Sequence, residues 1–305
     1  MIKNAIGLTE KIIQIHNMHN QPIQYFFGLQ NLQKGDPYVP PPGPAGSLLY
    51  AIDAGRQDLV FKDTYTTGAT DGDSVVSIKS TVSPDWGFLQ IQAAVDCPVY
   101  KFNGATGSYL EFDGINDYME MTTSPTGATG AFAWDTSASA RLNGDDYTFY
   151  LVAENLGSAG GSIFSFGGTW TTYGPKMYYY GGDYEWTFGN WASDYVDGTS
   201  WTTNSSKYIM VCHGSKTANI KYQVADGGSL NAAEIGSPSS SYNVGAPPRG
   251  RSMIGAGPNN TQQWTGSTYR YWGGRIYEYG CFEGYLNATE TTALFNHLNN
   301  KHNVY

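Results

Sequence analysis

Tyr109-Leu110-Glu111-Phe112-Asp113-Gly114-Ile115-Asn116-Asp117-Tyr118-Met119-Glu120-Met121 decides the fold. The stretch reads as a strand, an Asx turn and a second strand. Gly114 permits the bend, and Asp113 and Asn116 are placed to bond local backbone N–H groups. Phe112 and Tyr118 are then expected to pack between two sheets. Working outward, Tyr147 to Val152, Tyr208 to Cys212 and Ile220 to Val224 are further strand-like runs. In the last, Ile220, Tyr222 and Val224 alternate with Lys221 and Gln223, the period of a half-buried strand. Glycine-rich clusters such as Asn143-Gly144-Asp145 and Asp226-Gly227-Gly228 separate these runs as turns. Many short strands with such turns predict a sandwich or barrel.

Composition agrees. Charged residues make up only 14% of the 305, while there are 38 glycines and 24 tyrosines. A helical bundle needs far more Lys, Glu, Arg, Leu and Ala. The formal charge of −9 carries no basic stripe, which argues against a nucleic-acid groove. Cys97, Cys212 and Cys281 are too few and too far apart for a disulfide framework or a metal knuckle, so they are expected as buried small hydrophobes. Thr9, Glu10 and Lys11 interrupt the apolar run Ala5 to Leu8, so no secretory signal is expected, and no run reaches the length of a membrane span. Only the C-terminus reads as helix. Asn287 is an N-cap with Glu290 three residues on, ahead of Leu294, Phe295 and Leu298 on one face.

Residues 1–36 differ from the rest, with Gln and Asn interspersed among large apolar residues. Ile12, Ile15, Tyr25, Phe26, Phe27 and Leu29 are too apolar for a solvated tail and too few for a core of their own, so the segment needs a partner surface. Residues 37–46, centred on Pro40-Pro41-Pro42-Gly43-Pro44, predict a stiff extended spacer. Residues 47–305 carry the strand signals.

Three pieces in order, the 109–121 stretch, Gly274-Arg275-Ile276-Tyr277-Glu278-Tyr279-Gly280-Cys281-Phe282, and Leu286 through the helix to Tyr305, resemble the concanavalin A-like lectin/glucanase sandwich in its LamG or pentraxin-related form. The resemblance covers roughly residues 48–305 and implies an all-β jelly roll with a short C-terminal helix. Leu49 to Asp53, Pro84-Asp85-Trp86 and Cys97-Pro98-Val99-Tyr100 resemble the lead-in to this domain in virion proteins of tailed phages.

Glucanases of this kind place carboxylates at alternate strand positions, because retaining hydrolysis needs an acid and a nucleophile about 5–5.5 Å apart. Glu111 and Asp113 share that spacing, but the second glutamate of the family motif is replaced by Asn116. An amide neither exchanges a proton nor attacks an anomeric carbon. No enzyme activity is expected. Asp113 and Asp117 read first as turn-makers and second as weak candidate ligands for calcium, which some members of the family bind. No other cofactor is implied.

Residues 170–201 and 264–272 are dense in aromatics. Strand alternation sends neighbours such as Tyr178, Tyr179 and Tyr180 to opposite faces, so some rings are expected on a surface or an interface. Tyr184, Trp186, Trp191, Trp264, Tyr269 and Trp272 are the candidates for stacking on sugars, with core or protein contact as the alternative. The reading is a non-enzymatic virion protein, a capsid decoration, head fibre or tail fibre on the particle surface. It would be anchored to other virion proteins through residues 1–46, homo-oligomeric, and displayed for particle stabilisation or toward a host glycan. A free carbohydrate-binding module or degenerate glycoside hydrolase is the alternative.

Overall fold

The computed structural model describes residues 39–44, 47–82, 87–89, 96–122, 146–156, 160–166, 175–180, 183–188, 195–198, 206–215, 218–226, 229–235, 252–258 and 269–305. The expected anchor segment, residues 1–36, lies outside them. In chain order the strands begin with β1 (Leu48–Asp53), β2 (Val60–Phe61), β3 (Ser77–Lys79), β4 (Gly87–Leu89) and β5 (Val99–Lys101). They continue with β6 (Tyr109–Asp113), β7 (Met119–Thr122), β8 (Asp146–Asn155), β9 (Gly160–Phe166), β10 (Pro175–Tyr180), β11 (Asp183–Phe188) and β12 (Tyr195–Gly198). Then come β13 (Lys207–Ser215), β14 (Lys221–Asp226), β15 (Ser229–Leu230), β16 (Glu234–Ile235), β17 (Ser252–Ile254), β18 (Ala256–Pro258), β19 (Tyr269–Tyr271) and β20 (Gly273–Glu283). Two helices, α1 (Gly104–Gly107) and α2 (Ala288–His302), complete the set.

Among the described residues these strands form two nine-stranded antiparallel sheets and a small hairpin, β18–β19. The first sheet runs β15-β14-β13-β8-β20-β6-β5, with β1 also on β20 and β16 on β14; the second runs β12-β11-β10-β9-β17-β7-β4-β3-β2. The 109–121 stretch therefore bridges the sandwich, β6 in one sheet and β7 in the other. Alternation supplies the core. Leu110 and Phe112 from β6, Phe149 and Leu151 from β8, Tyr279 and Cys281 from β20 meet Met119, Phe164, Met177 and Trp186 from the second sheet. All three cysteines are buried and free, as expected.

A second apolar layer lies on the other face of the first sheet, where α2 packs Leu294, Phe295 and Leu298 onto Tyr150, Val152, Ile209, Val211 and Tyr277. A bulge in β20 makes this possible. Pairing with β8 shifts between Ile276 and Glu278, so Tyr277 and Glu278 both face the helix while Ile276 and Tyr279 both face the inner core. The helix begins as the sequence predicts, the Asn287 side chain accepting from the Thr289 and Glu290 amides while Glu290 reaches back to the Asn287 amide. Its C-terminal turn is fastened by charge. Lys301 Nζ lies 2.6 Å from both Asp53 and Glu278, and His302 Nε2 lies 2.9 Å from Glu278, whose side chain is wholly buried. No helix among the described residues is long and apolar enough to cross a membrane.

Within the proline-rich stretch, Val39 is exposed but Pro41 is buried, and Gly43 comes so close to the Phe282 ring that a Cβ there would sit 2.5 Å from it. The Ser47 amide then closes a turn on the Pro44 carbonyl, and the Ser47 carbonyl accepts from Glu283. Gly43 and Ser47 thus lie along the end of β20.

Candidate functional site

The turn between β6 and β7 is built by its own aspartates. Asp113 Oδ1 accepts from the amides of Ile115, Asn116 and Asp117, while Asp117 Oδ2 accepts from the Asp113 amide at 2.8 Å. Gly114 takes φ = +75°, the left-handed value that favours glycine, and Ile115 stands out in solvent at the tip. The Asn116 side-chain nitrogen also reaches out of the turn, donating to Asp96 Oδ1 at 2.6 Å. Burial, with Asp113 and Asp96 nearby, pushes the Asp117 carboxyl up to about 7 against the stabilising Asp113 amide. Tyr118 is a further correction. It is buried with Met253 and Ala256 on the second sheet's outer face instead of between the sheets, because Met119 and Met121 take the core positions on either side of Glu120. Among the described residues no group of three or more His, Cys, Asp or Glu side chains is placed to hold a metal ion.

Glu111 is committed to a different interaction. It stands opposite Arg275 in register, and Arg275 stands opposite Glu154, so one row crosses β6, β20 and β8 on the face away from the inner core. Arg275 donates from Nε to Glu111 at 2.8 Å and from Nη1 to Glu154 at 3.0 Å, lying over the Tyr109 ring at 4.8 Å. Tyr277 Oη donates to the same Glu154 oxygen at 2.9 Å. Burial works against the charge of Arg275, but the two carboxylates outweigh it and hold its pKa above the ordinary value.

Two of the six aromatics expected to stack on sugar are core residues. Trp186 is fully buried between Phe149 and Phe164, and its Nε1 crosses the sandwich to donate to the His213 carbonyl at 3.0 Å. Trp272 is fully buried against Phe112. The alternation argument fails at Tyr178 and Tyr179 too, since both are buried although they lie on opposite faces of β10. Tyr184 lies on β11 opposite Tyr179, and Tyr269 on β19 opposite Pro258. Trp191, in the β11–β12 connection, and Trp264, in the β18–β19 connection, fall outside the described residues.

The outer face of the second sheet carries a polar row that the aromatic reading passed over. Glu120 of β7, Met253 of β17, Ser165 of β9 and Lys176 of β10 are successive register partners. At about 4.8 Å per strand the row spans roughly 14 Å. All four side chains are buried, and Ser165 Oγ has no hydrogen-bond partner among the described residues. Burial lowers the Lys176 ammonium to about 7, leaving an amine that exchanges its proton near neutrality. The signal was present in Met119-Glu120-Met121, where the alternation that sends two methionines inward sends the glutamate out.

No protein-family model matches this chain, and no curated protein matches it in sequence. Among solved structures it is similar to the sialidase of Trypanosoma rangeli in complex with 2,3-difluorosialic acid, with 13% identity over 84% of this chain and a TM-score of 0.51. The match takes in 34% of the sialidase, so this chain spans about a third of that enzyme's length. The binding domain of botulinum neurotoxin DC in complex with SialylT aligns with 9% identity over 83% of this chain and 51% of the domain, TM-score 0.47. Mouse laminin α1 domains LG4-5 align with 10% identity over 47% of this chain and 37% of theirs, TM-score 0.34. At such identities the sialidase likeness is one of fold alone.

Proposed function

We propose that this chain is a non-enzymatic virion structural protein of a tailed phage, whose concanavalin A-like sandwich is displayed on the particle as a lectin-like recognition or stabilising module. One observation carries the non-catalytic reading. The carboxylate placed at the hydrolase spacing, Glu111, is held in the Arg275–Glu154 row, and its neighbour Asp113 accepts three turn amides. A glycosidase acid must be free to protonate a leaving oxygen, and its partner free to attack or activate water. Both groups here serve the fold.

The contacts of Gly43 and Ser47 with the end of β20 support an attachment role for the N-terminal segment. In this reading Ile12, Ile15, Tyr25, Phe26, Phe27 and Leu29 anchor the chain to other virion proteins. The glycan half of the reading rests on the four remaining sequence candidates, Trp191, Trp264, Tyr184 and Tyr269. Sialylated sugars head the panel of probes, since the sialidase sharing the sandwich fold holds a sialic acid derivative.

Mass spectrometry of density-purified particles tests the attachment role. Hundreds of copies relative to the main shell protein are expected for a head decoration and a handful for a fibre; absence would overturn the virion reading. A glycan array then separates recognition from stabilisation. Binding that is lost in both Trp191→Ala and Trp264→Ala supports a lectin surface, and binding by neither wild type nor variants leaves stabilisation as the role.

A further inference from the structure

We propose that His213 is a proton-sensitive latch that holds the first turns of α2 on the outer face of the first sheet and releases them in acid. On β13, Cys212 faces the inner core, which turns its neighbour His213 toward the helix. The side chain is wholly buried, its ring centroid 4.8 Å from that of Tyr285 in the β20–α2 connection. His213 Nε2 lies 3.2 Å from Thr291 Oγ1 in the first turn of α2, and that hydroxyl directs its own proton toward the Leu286 carbonyl at 3.4 Å. The ring therefore donates from Nε2, and Nδ1 is the bare lone pair of the neutral imidazole. Nδ1 has no hydrogen-bond partner among the described residues.

A second proton has to go to Nδ1, which has no hydrogen-bond partner among the described residues in the closed state. Burial, and after it the positive charge of Lys221, hold His213 well below its ordinary value of 6.5; only the Leu286 backbone pulls the other way. The charged and titratable groups around the ring come from each packed element. Lys221 of β14 stands opposite His213 in register with its Nζ over Tyr285, Asp146 of β8 acts on Tyr285, and Glu290 of α2 is half-buried and bonded to the Asn287 amide. None of them bonds the imidazole among the described residues.

Opening the N-terminal turns of α2 gives Nδ1 a water acceptor, so opening and protonation are linked. The folded-state pKa is depressed, so the contribution of His213 is intact above about pH 6.5 and is lost as pH falls below it, and the opening constant rises by up to about tenfold per pH unit. The far end of α2 stays fastened over this range, because Glu278 is held at about 2 beside Lys301 and His302. Release is thus confined to the end of the helix that carries Thr291, and it uncovers the apolar face around Ile209 and Val211.

Hydrogen–deuterium exchange of the full chain between pH 7.5 and 5, corrected for intrinsic exchange, reads the opening directly. Peptides spanning residues 286–296 should lose protection with falling pH, approaching a tenfold change per unit, while those ending at Tyr305 change less. His213→Gln keeps an N–H toward Thr291 but cannot ionise, so its opening should be independent of pH. The same pH dependence in wild type and His213→Gln, or full protection of residues 286–296 in wild type at pH 5, overturns the latch. Should His213→Gln fail to fold, carbon-13 spectra of the wild-type imidazoles decide. A His213 ring that stays neutral until the α2 amides broaden supports the proposal, and one that ionises near 6.5 with those amides unchanged overturns it.

Discussion

The layer between the two sheets and the layer beneath α2 use the same apolar residue types, yet they are specified by different physics. Between the sheets, rings fill volume. Phe164 stacks on Phe149 at 5.4 Å and leans on Tyr279 at 5.2 Å, with Trp186 edge-on to Phe149 at 5.8 Å. The Tyr50 and Tyr279 hydroxyls there pair with each other at 3.0 Å. Beneath the helix, Leu294, Phe295 and Leu298 are bounded by Asp53, Glu278, Lys301 and His302 at one end and by His213 at the other. An apolar stripe can slide along an apolar face at little cost, whereas Lys301 between two carboxylates has one position. Shape sets the inner layer; charge and hydrogen bonding set the register of the outer one.

Trp186→Ala is the harshest test of that contrast. It leaves a large cavity between the sheets and removes the bond to the His213 carbonyl, and it should cost about 3–5 kcal/mol in urea unfolding at any pH between 5 and 8. Its effect should not stay in the inner layer. The indole fixes the strand that carries His213, so α2 should lose exchange protection along with the second sheet. Protection of α2 at the wild-type level in this variant would show the two layers to be independent.

Glu278→Gln attacks the outer layer alone. It leaves Lys301 and His302 without the buried carboxylate they share, and the expected loss is about 3 kcal/mol at pH 7. The hydrogen bond from His302 and the charge of Lys301, acting against burial, hold the Glu278 carboxyl at about 2. Its contribution is therefore complete above about pH 4.5 and is lost as pH falls from there toward 2, so wild type and variant should converge over that interval. Urea unfolding at pH 7, 4 and 3 follows the convergence. A difference that stays constant across the three would mean the loss is one of packing.

Local features of both layers were legible in the sequence, and the contacts that join distant residues were not. The alternation of Leu110 and Phe112, the turn at Asp113-Gly114 and the capping box at Asn287 follow from local rules, and each appears where the rules put it. The aromatic belt was misjudged because alternation says that neighbours part company but not that both faces are covered. Here α2 and the β18–β19 hairpin allow rings such as Tyr150 and Tyr178 to be buried outside the sandwich core. The charged clamp joins Asp53, Glu278 and Lys301 across most of the chain length, and a one-residue bulge turns Glu278 toward the helix. Neither the contact nor the bulge leaves a periodic trace. His213 looks like the polar end of an apolar strand, and its side-chain partner Thr291 lies 78 residues away.

Asn287→Ala sharpens the comparison with the smallest change. It removes the acceptor for the Thr289 and Glu290 amides and should cost about 1 kcal/mol, roughly a fivefold shift in the opening of the first turn of α2. Because the cap and His213 hold the same turn by different means, the shift should be equal at pH 7.5 and pH 5.5, leaving the pH slope of exchange unchanged. Where the shift registers matters as much as its size. If α2 opens only when the sandwich unfolds, the urea midpoint falls with it; if the helix opens by itself, exchange at residues 286–296 rises while the midpoint holds. The second outcome is expected, since the first turn is held by a cap and a single imidazole and the inner layer by interlocked rings.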